Sequence, residues 1–251
     1  MEAIIKDKVQ KMNLDSISII LVRTKFPENI GSVARAMKNM GLKRLALVGG
    51  KSPFDLGAYK LASGAEDILE RAEEFSSLKE AISEMNFVVG TTSRAGRDRS
   101  PLLSPKTLVR KLDPLSVKNS IAIVFGSEKE GLTNEELFLC NFYVRIPSSK
   151  DFPSLNLAHA VMVICYELFH STGETPEHSL ELAQADHLEK MFEHMERTLK
   201  DAGFLDSEHP TRMMKALRRL FGKSQLDERE VRILQGIWSS VDKSLRIQKE
   251  K

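Results

Sequence analysis

Four stretches of this sequence combine small, polar and ionisable residues in patterns that chemistry can use. Pro27-Glu28-Asn29-Ile30-Gly31-Ser32 leads to Arg35, and Gly90-Thr91-Thr92-Ser93 closes an apolar run. Gly126-Ser127-Glu128-Lys129-Glu130-Gly131-Leu132 sets two glycines around an acidic turn, and residues 146–156 run from Ile146-Pro147 to Pro153-Ser154-Leu155-Asn156. Small residues let backbone amides and carbonyls approach a bound molecule closely. The same glycines can serve only to turn the chain. Ser154 and Asn156 stand at a helix start, where capping is the default role. No Gly-x-Gly-x-x-Gly follows the first apolar run, and no Gly-x-x-x-x-Gly-Lys-Ser/Thr occurs, so hydride and phosphoryl transfer both lose weight. No set of metal ligands stands out, and Cys140 and Cys165 lack metal-like spacing.

The elements that must hold these stretches follow from periodicity. Residues 16–23 are rich in β-branched side chains and predict a buried strand. Asn29 is placed to cap a helix reaching Met40, with Ile30, Val33, Ala34, Met37 and Met40 at helical spacing and Gly41 closing it. Strands are predicted at 44–48, 87–89, 121–125 and 142–146, and helices near 56–63, 78–85, 105–112, 133–139 and 155–169. Strand–loop–helix alternation predicts an α/β domain with a mostly parallel sheet. In such sheets ligands bind at the carboxyl ends of the strands, where three of the four stretches fall.

Beyond Ser171-Thr172-Gly173 no strand pattern is visible. Helical stripes appear instead: Leu188, Met191, Phe192, Met195 and Leu199; then Met213, Leu217, Leu220 and Phe221; then Val231, Leu234, Ile237 and Trp238. Residues 1–172 are therefore expected to form the α/β domain, and 173–251 a small helical extension.

Read in order, three motifs resemble those of the SPOUT 2′-O-methyltransferases, the TrmH-like RNA-modifying enzymes. They are Pro27-Glu28-Asn29-Ile30-Gly31-Ser32-Val33-Ala34-Arg35-Ala36-Met37, then Val124-Phe125-Gly126-Ser127-Glu128-Lys129-Glu130-Gly131-Leu132-Thr133-Asn134-Glu135-Glu136, then Ile146-Pro147 with Pro153-Ser154-Leu155-Asn156-Leu157-Ala158. The segment 191–199, Ala202-Gly203-Phe204, His209-Pro210, Leu217-Arg218-Arg219-Leu220-Phe221 and Ile233-Leu234-Gln235-Gly236-Ile237 resemble the helical extension of the TrmJ branch of that family. The resemblance covers most of the chain.

This resemblance implies a trefoil-knotted α/β domain, an exception to the general rule against knots, in a homodimer whose active site spans the subunit interface. It implies S-adenosylmethionine as cofactor, held by Thr91, Thr92, Ser93, Gly126, Ile146, Pro153, Ser154 and Leu155, with Gly131 and Leu132 nearby. It implies tRNA as substrate, methylated on the ribose 2′-oxygen of a cytidine or uridine at anticodon-loop nucleotide 32; the alternatives are another tRNA position, ribosomal RNA, or a noncatalytic RNA-binding protein of the same fold. Arg35, Asn29, Glu128, Ser154 and Asn156 become the catalytic candidates. A guanidinium stays protonated in nearly all settings, so Arg35 is read as a charge that stabilises the developing alkoxide. Glu128 can orient Arg35 or another active-site group through a charge-assisted hydrogen bond, or be a solvated turn carboxylate. Pro153 stands where some relatives carry a small polar residue, so its contact would be through backbone alone. His159 fits a packed histidine better than a base.

Net charge of +2 is too small to argue for nucleic acid by itself, so local clustering decides. Between residues 94 and 111 lie Arg94, Arg97, Arg99, Lys106, Arg110 and Lys111 against Asp98 alone. Farther on, Arg212, Lys215, Arg219 and Lys223 recur at helical spacing with Arg218 alongside. Arg94, Arg97, Arg99, Arg212, Lys215, Arg218 and Arg219 are the candidate RNA contacts, gripping phosphate. Sparse cysteine and the lack of a long apolar run or secretory signal point to the cytoplasm, with no membrane partner.

Overall fold

In the computed structural model, residues 12–94, 102–171, 180–205 and 210–249 are described. The β-branched run forms strand β1 (Ile17–Thr24), and helix α1 (Pro27–Asn39) follows. Then come β2 (Arg44–Gly50), α2 (Leu56–Ala62), α3 (Glu66–Glu70), β3 (Glu73–Phe75), α4 (Leu78–Ala81) and β4 (Phe87–Thr91). Past the basic stretch lie β5 (Leu102–Leu103), α5 (Pro105–Leu115), β6 (Ile121–Phe125), α6 (Asn134–Phe138), β7 (Phe142–Val144) and α7 (Leu157–Phe169). Three helices complete the chain: α8 (Ala185–Asp201), α9 (Pro210–Lys223) and α10 (Glu228–Lys249).

The seven strands form one sheet in the order β3-β2-β1-β6-β4-β7-β5, and every pairing between named strands is parallel. A parallel sheet must be covered on both faces, and the period-two alternation divides its residues accordingly. Ile17, Ile19, Leu21, Phe87, Val89, Ile121, Ile123 and Phe125 face a core closed by α1, α2, α3, α5 and α7. Ile20, Val22, Val88, Ala122, Val124 and Tyr143 face a second core under α4 and α6. A third cluster, Met191, Phe192, Met195, Met214 and Val231, holds α8, α9 and α10 together. That bundle meets the α/β part through Ala185, whose N–H donates to the Met85 carbonyl at 2.8 Å, and through Asn86, whose Nδ2 donates to the Leu182 carbonyl at 2.7 Å.

Several expectations need correction. Helix α1 starts two residues before Asn29, because Pro27 at its first turn presets φ for the helix. Phe26 is the cap residue and offers no side-chain bond. Asn29 therefore sits inside the helix with its amide free for other work. Strands β3 and β5 and helix α3 were not foreseen. On α9 the inward residues are Met214, Leu217 and Phe221, whereas Met213 and Leu220 are exposed. The expected boundary at 172–173 lies outside the described residues. Among the described residues no helix is long and apolar enough to cross a membrane.

Candidate active site

Adjacent strands β6, β4 and β7 end on the same side of the sheet, and the loops leaving them enclose a cavity of about 330 Å³. Its walls come from Thr91, Thr92, Ser93 and Arg94 after β4, from residues 125–131 after β6, and from Val144, Ile146, Pro153, Ser154, Leu155, Leu157 and Ala160 after β7. Nine of the ten residues expected to hold a cofactor line this one space. Leu132 is the exception. It is buried in the second core, where it packs near Gly90, and contributes by anchoring the end of the loop.

The loop after β6 folds back on itself. The Gly131 N–H donates to the Ser127 carbonyl at 2.9 Å, and Gly131 adopts φ +67°. A Cβ on Gly126 would lie 2.0 Å from the Gly131 carbonyl carbon and 2.2 Å from the Leu132 nitrogen, so only glycine fits there. Gly90 is small for a different reason than expected. A Cβ on it would press on Cys140 Sγ at 2.9 Å and Leu137 Cδ2 at 3.0 Å, away from the cavity. That glycine admits α6 to the sheet.

A hydrogen-bond relay joins three of the stretches singled out in the sequence. Asn156 caps α7, its Oδ1 accepting from the Ala158 N–H at 2.9 Å and the His159 N–H at 3.4 Å. Its Nδ2 donates to Asn29 Oδ1 at 3.1 Å, and Asn29 Nδ2 donates to Glu128 Oε1 at 2.8 Å. The other Glu128 oxygen accepts from the Lys25 N–H at 3.1 Å. Each amide orientation is fixed by its neighbour: the α7 amides require the Asn156 oxygen, which turns its nitrogen to Asn29, which turns its own to the carboxylate. Glu128 thus reaches the cavity wall with both oxygens engaged.

Within this chain the group that Glu128 engages is Asn29, together with the Lys25 N–H, and not Arg35. Within the protomer Arg35 is exposed on α1 and does not line the cavity. Ser154 lines the cavity while Asn156 supports it from behind. His159 is exposed on α7. Cys140 and Cys165 are buried, and burial pushes each thiol up to about 12, which leaves neither as a nucleophile at neutral pH.

The candidate RNA contacts separate into groups. Arg94 Nη2 donates to the Glu130 carbonyl at 2.8 Å, so this arginine braces the cavity loop. Arg97 and Arg99 lie outside the described residues, as does the side chain of Lys223. Lys215 rests over the Phe138 ring at 4.3 Å, facing the α/β part. Arg218 is a correction: its guanidinium forks onto Glu189 at 2.6 and 2.8 Å and stacks on Phe192 at 4.6 Å, with its side chain only 18% exposed. It is a structural ion pair, held where phosphate cannot reach it without breaking that pair. Arg212 and Arg219 are on the exposed side of α9.

Sequence reasoning missed Arg23, at the end of β1. Its Nη2 donates to the Gly131 carbonyl at 3.1 Å and its guanidinium pairs with Glu136. It also missed the lining residues Ser127, Lys129 and Glu130 as site members, although the acidic turn itself was the signal.

Two family profiles match successive parts of the chain. The profile of the SpoU rRNA Methylase family matches residues 16–166, and that of the tRNA methyltransferase TrmJ, C-terminal domain, matches residues 186–250. The tRNA (cytidine/uridine/adenosine-2'-O-)-methyltransferase TrmJ of Pseudomonas aeruginosa is 44% identical over 250 residues, covering 93% of this chain and 96% of the relative. The tRNA (cytidine/uridine-2'-O-)-methyltransferase TrmJ of Pectobacterium atrosepticum is 40% identical over 237 residues, covering 92% and 98%. Among solved structures, TrmJ from Z. mobilis superposes with a TM-score of 0.78 at 31% identity, covering 90% of this chain and 98% of that one.

Proposed function

This chain belongs to the SpoU methylase family, and we propose on that premise that it transfers a methyl group from S-adenosylmethionine to a ribose 2′-hydroxyl of tRNA. The nucleotide we propose is anticodon-loop position 32, as cytidine or uridine. The name of the Pseudomonas relative includes adenosine as well, so adenosine belongs in the test panel. The observation that carries the reading is the relay through Asn156, Asn29 and Glu128, which gathers three motifs onto one cavity.

The cavity fits the cofactor. Its volume falls within the usual range for small-molecule sites. Phe125, Val144, Ile146, Leu155 and Leu157 supply apolar wall for a flat base, and Thr91, Thr92, Ser93 and Ser154 supply polar groups. The Glu128 carboxylate in the wall suits a sulfonium cation electrostatically. When bound, S-adenosylmethionine supplies a methyl group on positively charged sulfur. The protein must bring the ribose oxygen into line and favour loss of its proton.

Asn29 and Asn156 fix Glu128, and the three loops fix the cofactor side of the reaction. Arg35 supplies a fixed positive charge for the developing alkoxide and an adjacent phosphate. It would act as a base only if strongly desolvated against other cations. We place it in the site of a second copy. The proposed homodimer sets α1 of one protomer against the cavity of the other. The exposed rings of Tyr166 and Phe169 on the neighbouring α7, and of His170 just past its end, support such a contact. The knotted threading implied by the family, the division at 172–173 and a cytoplasmic location belong to the same proposal; the separate family matches at 16–166 and 186–250 support the division.

The test is transfer of labelled methyl from S-adenosylmethionine to unmodified tRNA and ribosomal RNA transcripts, with Arg35→Ala beside the parent. Label in tRNA, abolished in the variant, supports the proposal. Label in ribosomal RNA alone rejects the substrate, and cofactor binding without transfer to any RNA rejects the activity.

A further inference from the structure

Arg23 occupies an unusual place. It has φ +55° in a non-glycine residue at the end of β1, a conformation that persists only when its surroundings over-determine it. The backbone on either side stays paired with β2, Val22 beside Val48 and Thr24 beside Gly50, and its side chain is engaged as well. One end of the guanidinium bonds the Gly131 carbonyl at 3.1 Å and the other pairs with Glu136. Glu136 is largely buried, its side chain 14% exposed, and it is already engaged in a capping box with Thr133: the Thr133 N–H donates to Glu136 Oε2 at 2.7 Å and the Glu136 N–H donates to Thr133 Oγ1 at 3.2 Å. Arg23 thus connects the end of β1 to both the last residue of the cavity loop and the first turn of the helix behind it.

Arg94 does the matching work from the opposite side, bonding the Glu130 carbonyl one residue earlier. Two arginines from different strand ends therefore grip successive carbonyls, Glu130 and Gly131, of a loop whose residues 126–131 form one wall of the cavity. Bonding these two carbonyls fixes the orientation of their peptides, which belong to that wall. Arg23 itself does not line the cavity.

We infer that Arg23 is a positioning residue for cofactor binding: it clamps the 126–131 loop in the conformation that receives S-adenosylmethionine, acting through Gly131 and Glu136 rather than by contact. The inference rests on the cofactor assignment proposed above. It concerns a residue that neither the three motifs nor the basic clusters pointed to.

The position allows a discriminating substitution, because glycine accepts φ +55° without strain. Arg23→Gly removes the clamp and relieves the backbone together. A purely structural arginine would change the stability of this variant and leave its cofactor affinity unchanged. A clamp predicts instead that the dissociation constant and KM for S-adenosylmethionine rise about tenfold, the scale of one charge-assisted hydrogen bond, while kcat at saturating cofactor changes by less than about threefold. Arg23→Lys keeps the charge for Glu136 but cannot fork to Gly131, and should recover part of the affinity. Glu136→Gln should weaken binding in the same direction. The measurement is calorimetric titration of the full chain with S-adenosylmethionine, with steady-state transfer alongside. Wild-type affinity in Arg23→Gly overturns the inference and leaves the cofactor assignment standing; should that variant not fold, wild-type affinity in both Arg23→Lys and Glu136→Gln overturns it equally. Failure of the parent chain to bind S-adenosylmethionine overturns the cofactor assignment and this inference with it.

Discussion

Replacing Asn29 with aspartate keeps the size and shape of the side chain but exchanges the amide donor for an oxygen facing Glu128. In the parent, Asn29 Nδ2 donates to Glu128 Oε1 at 2.8 Å. In the variant two carboxylates meet at that spacing, and the repulsion at an effective dielectric of 20 is about 6 kcal/mol. The pair relieves itself by binding one proton, which limits the cost to about 4 kcal/mol at pH 7. Asn29 is half-buried, so solvent screening lowers this further, to about 2 kcal/mol. If the geometry of Glu128 matters to transfer, kcat/KM should fall about thirtyfold at pH 7. The sign of the pH effect follows. The shared proton is bound with a raised pKa, so the deficit is largest at high pH and shrinks as pH falls. Measured as the ratio of variant to parent methyl transfer between pH 5.5 and 8, activity should recover toward the acidic end. The double variant Asn29→Asp with Glu128→Gln restores a donor–acceptor pair with its polarity reversed, and should recover the part of the loss due to repulsion, without the Glu128 charge. A flat ratio near one across this range, or a double variant no better than the worse single one, would refute the relay as a working part of the site.

Gly126→Ala should fail more broadly, because the new methyl would overlap backbone atoms at 2.0–2.4 Å rather than movable side chains; a loss of about 3 kcal/mol or more in urea unfolding, with no cofactor binding, is expected. Arg218→Ala breaks a mostly buried ion pair with Glu189 and should destabilise the helical extension by about 3 kcal/mol, read as a lowered melting transition. By contrast, Arg212→Ala should leave melting within about 0.5 kcal/mol and reduce the salt dependence of tRNA binding. Asp113 is buried with Oδ1 unpaired, and burial raises its pKa. Its charge therefore costs stability as pH rises above the ordinary carboxylate range, so Asp113→Asn should stabilise by about 1 kcal/mol at pH 7 and progressively less toward pH 4, checked by thermal melts at both pH values.

Much of the fold was written in local patterns. The long β-branched runs that became β1 and β6 and the helical stripes of α8 and α10 announced themselves, because each buries a face large enough to impose a period. Strand β3 was illegible because two of its three residues are glutamates on a sheet edge, and β5 because two residues carry no period. The cavity loops were legible as glycine-rich strand ends, and nine of the ten positions expected to hold a cofactor line one space. What sequence could not disclose was pairing between distant residues. Glu128 meets Asn29 rather than Arg35, Arg218 meets Glu189, and Arg94 and Arg23 meet loop carbonyls. A basic residue in a string reads alike whether it faces solvent, phosphate or a buried carboxylate. Asn29 was misplaced as a cap because Pro27 also starts helices, and the two signals compete within three residues.

The most direct measurement is an alkaline cleavage ladder of a tRNA transcript after incubation with the protein and S-adenosylmethionine. A ribose whose 2′-oxygen carries methyl cannot attack its own phosphodiester, so methylation at nucleotide 32 leaves one gap in the ladder at that position. The account predicts that single gap, dependent on cofactor and absent with Arg35→Ala. An unbroken ladder from tRNA that has taken up labelled methyl would put the methyl on a base, and would contradict it.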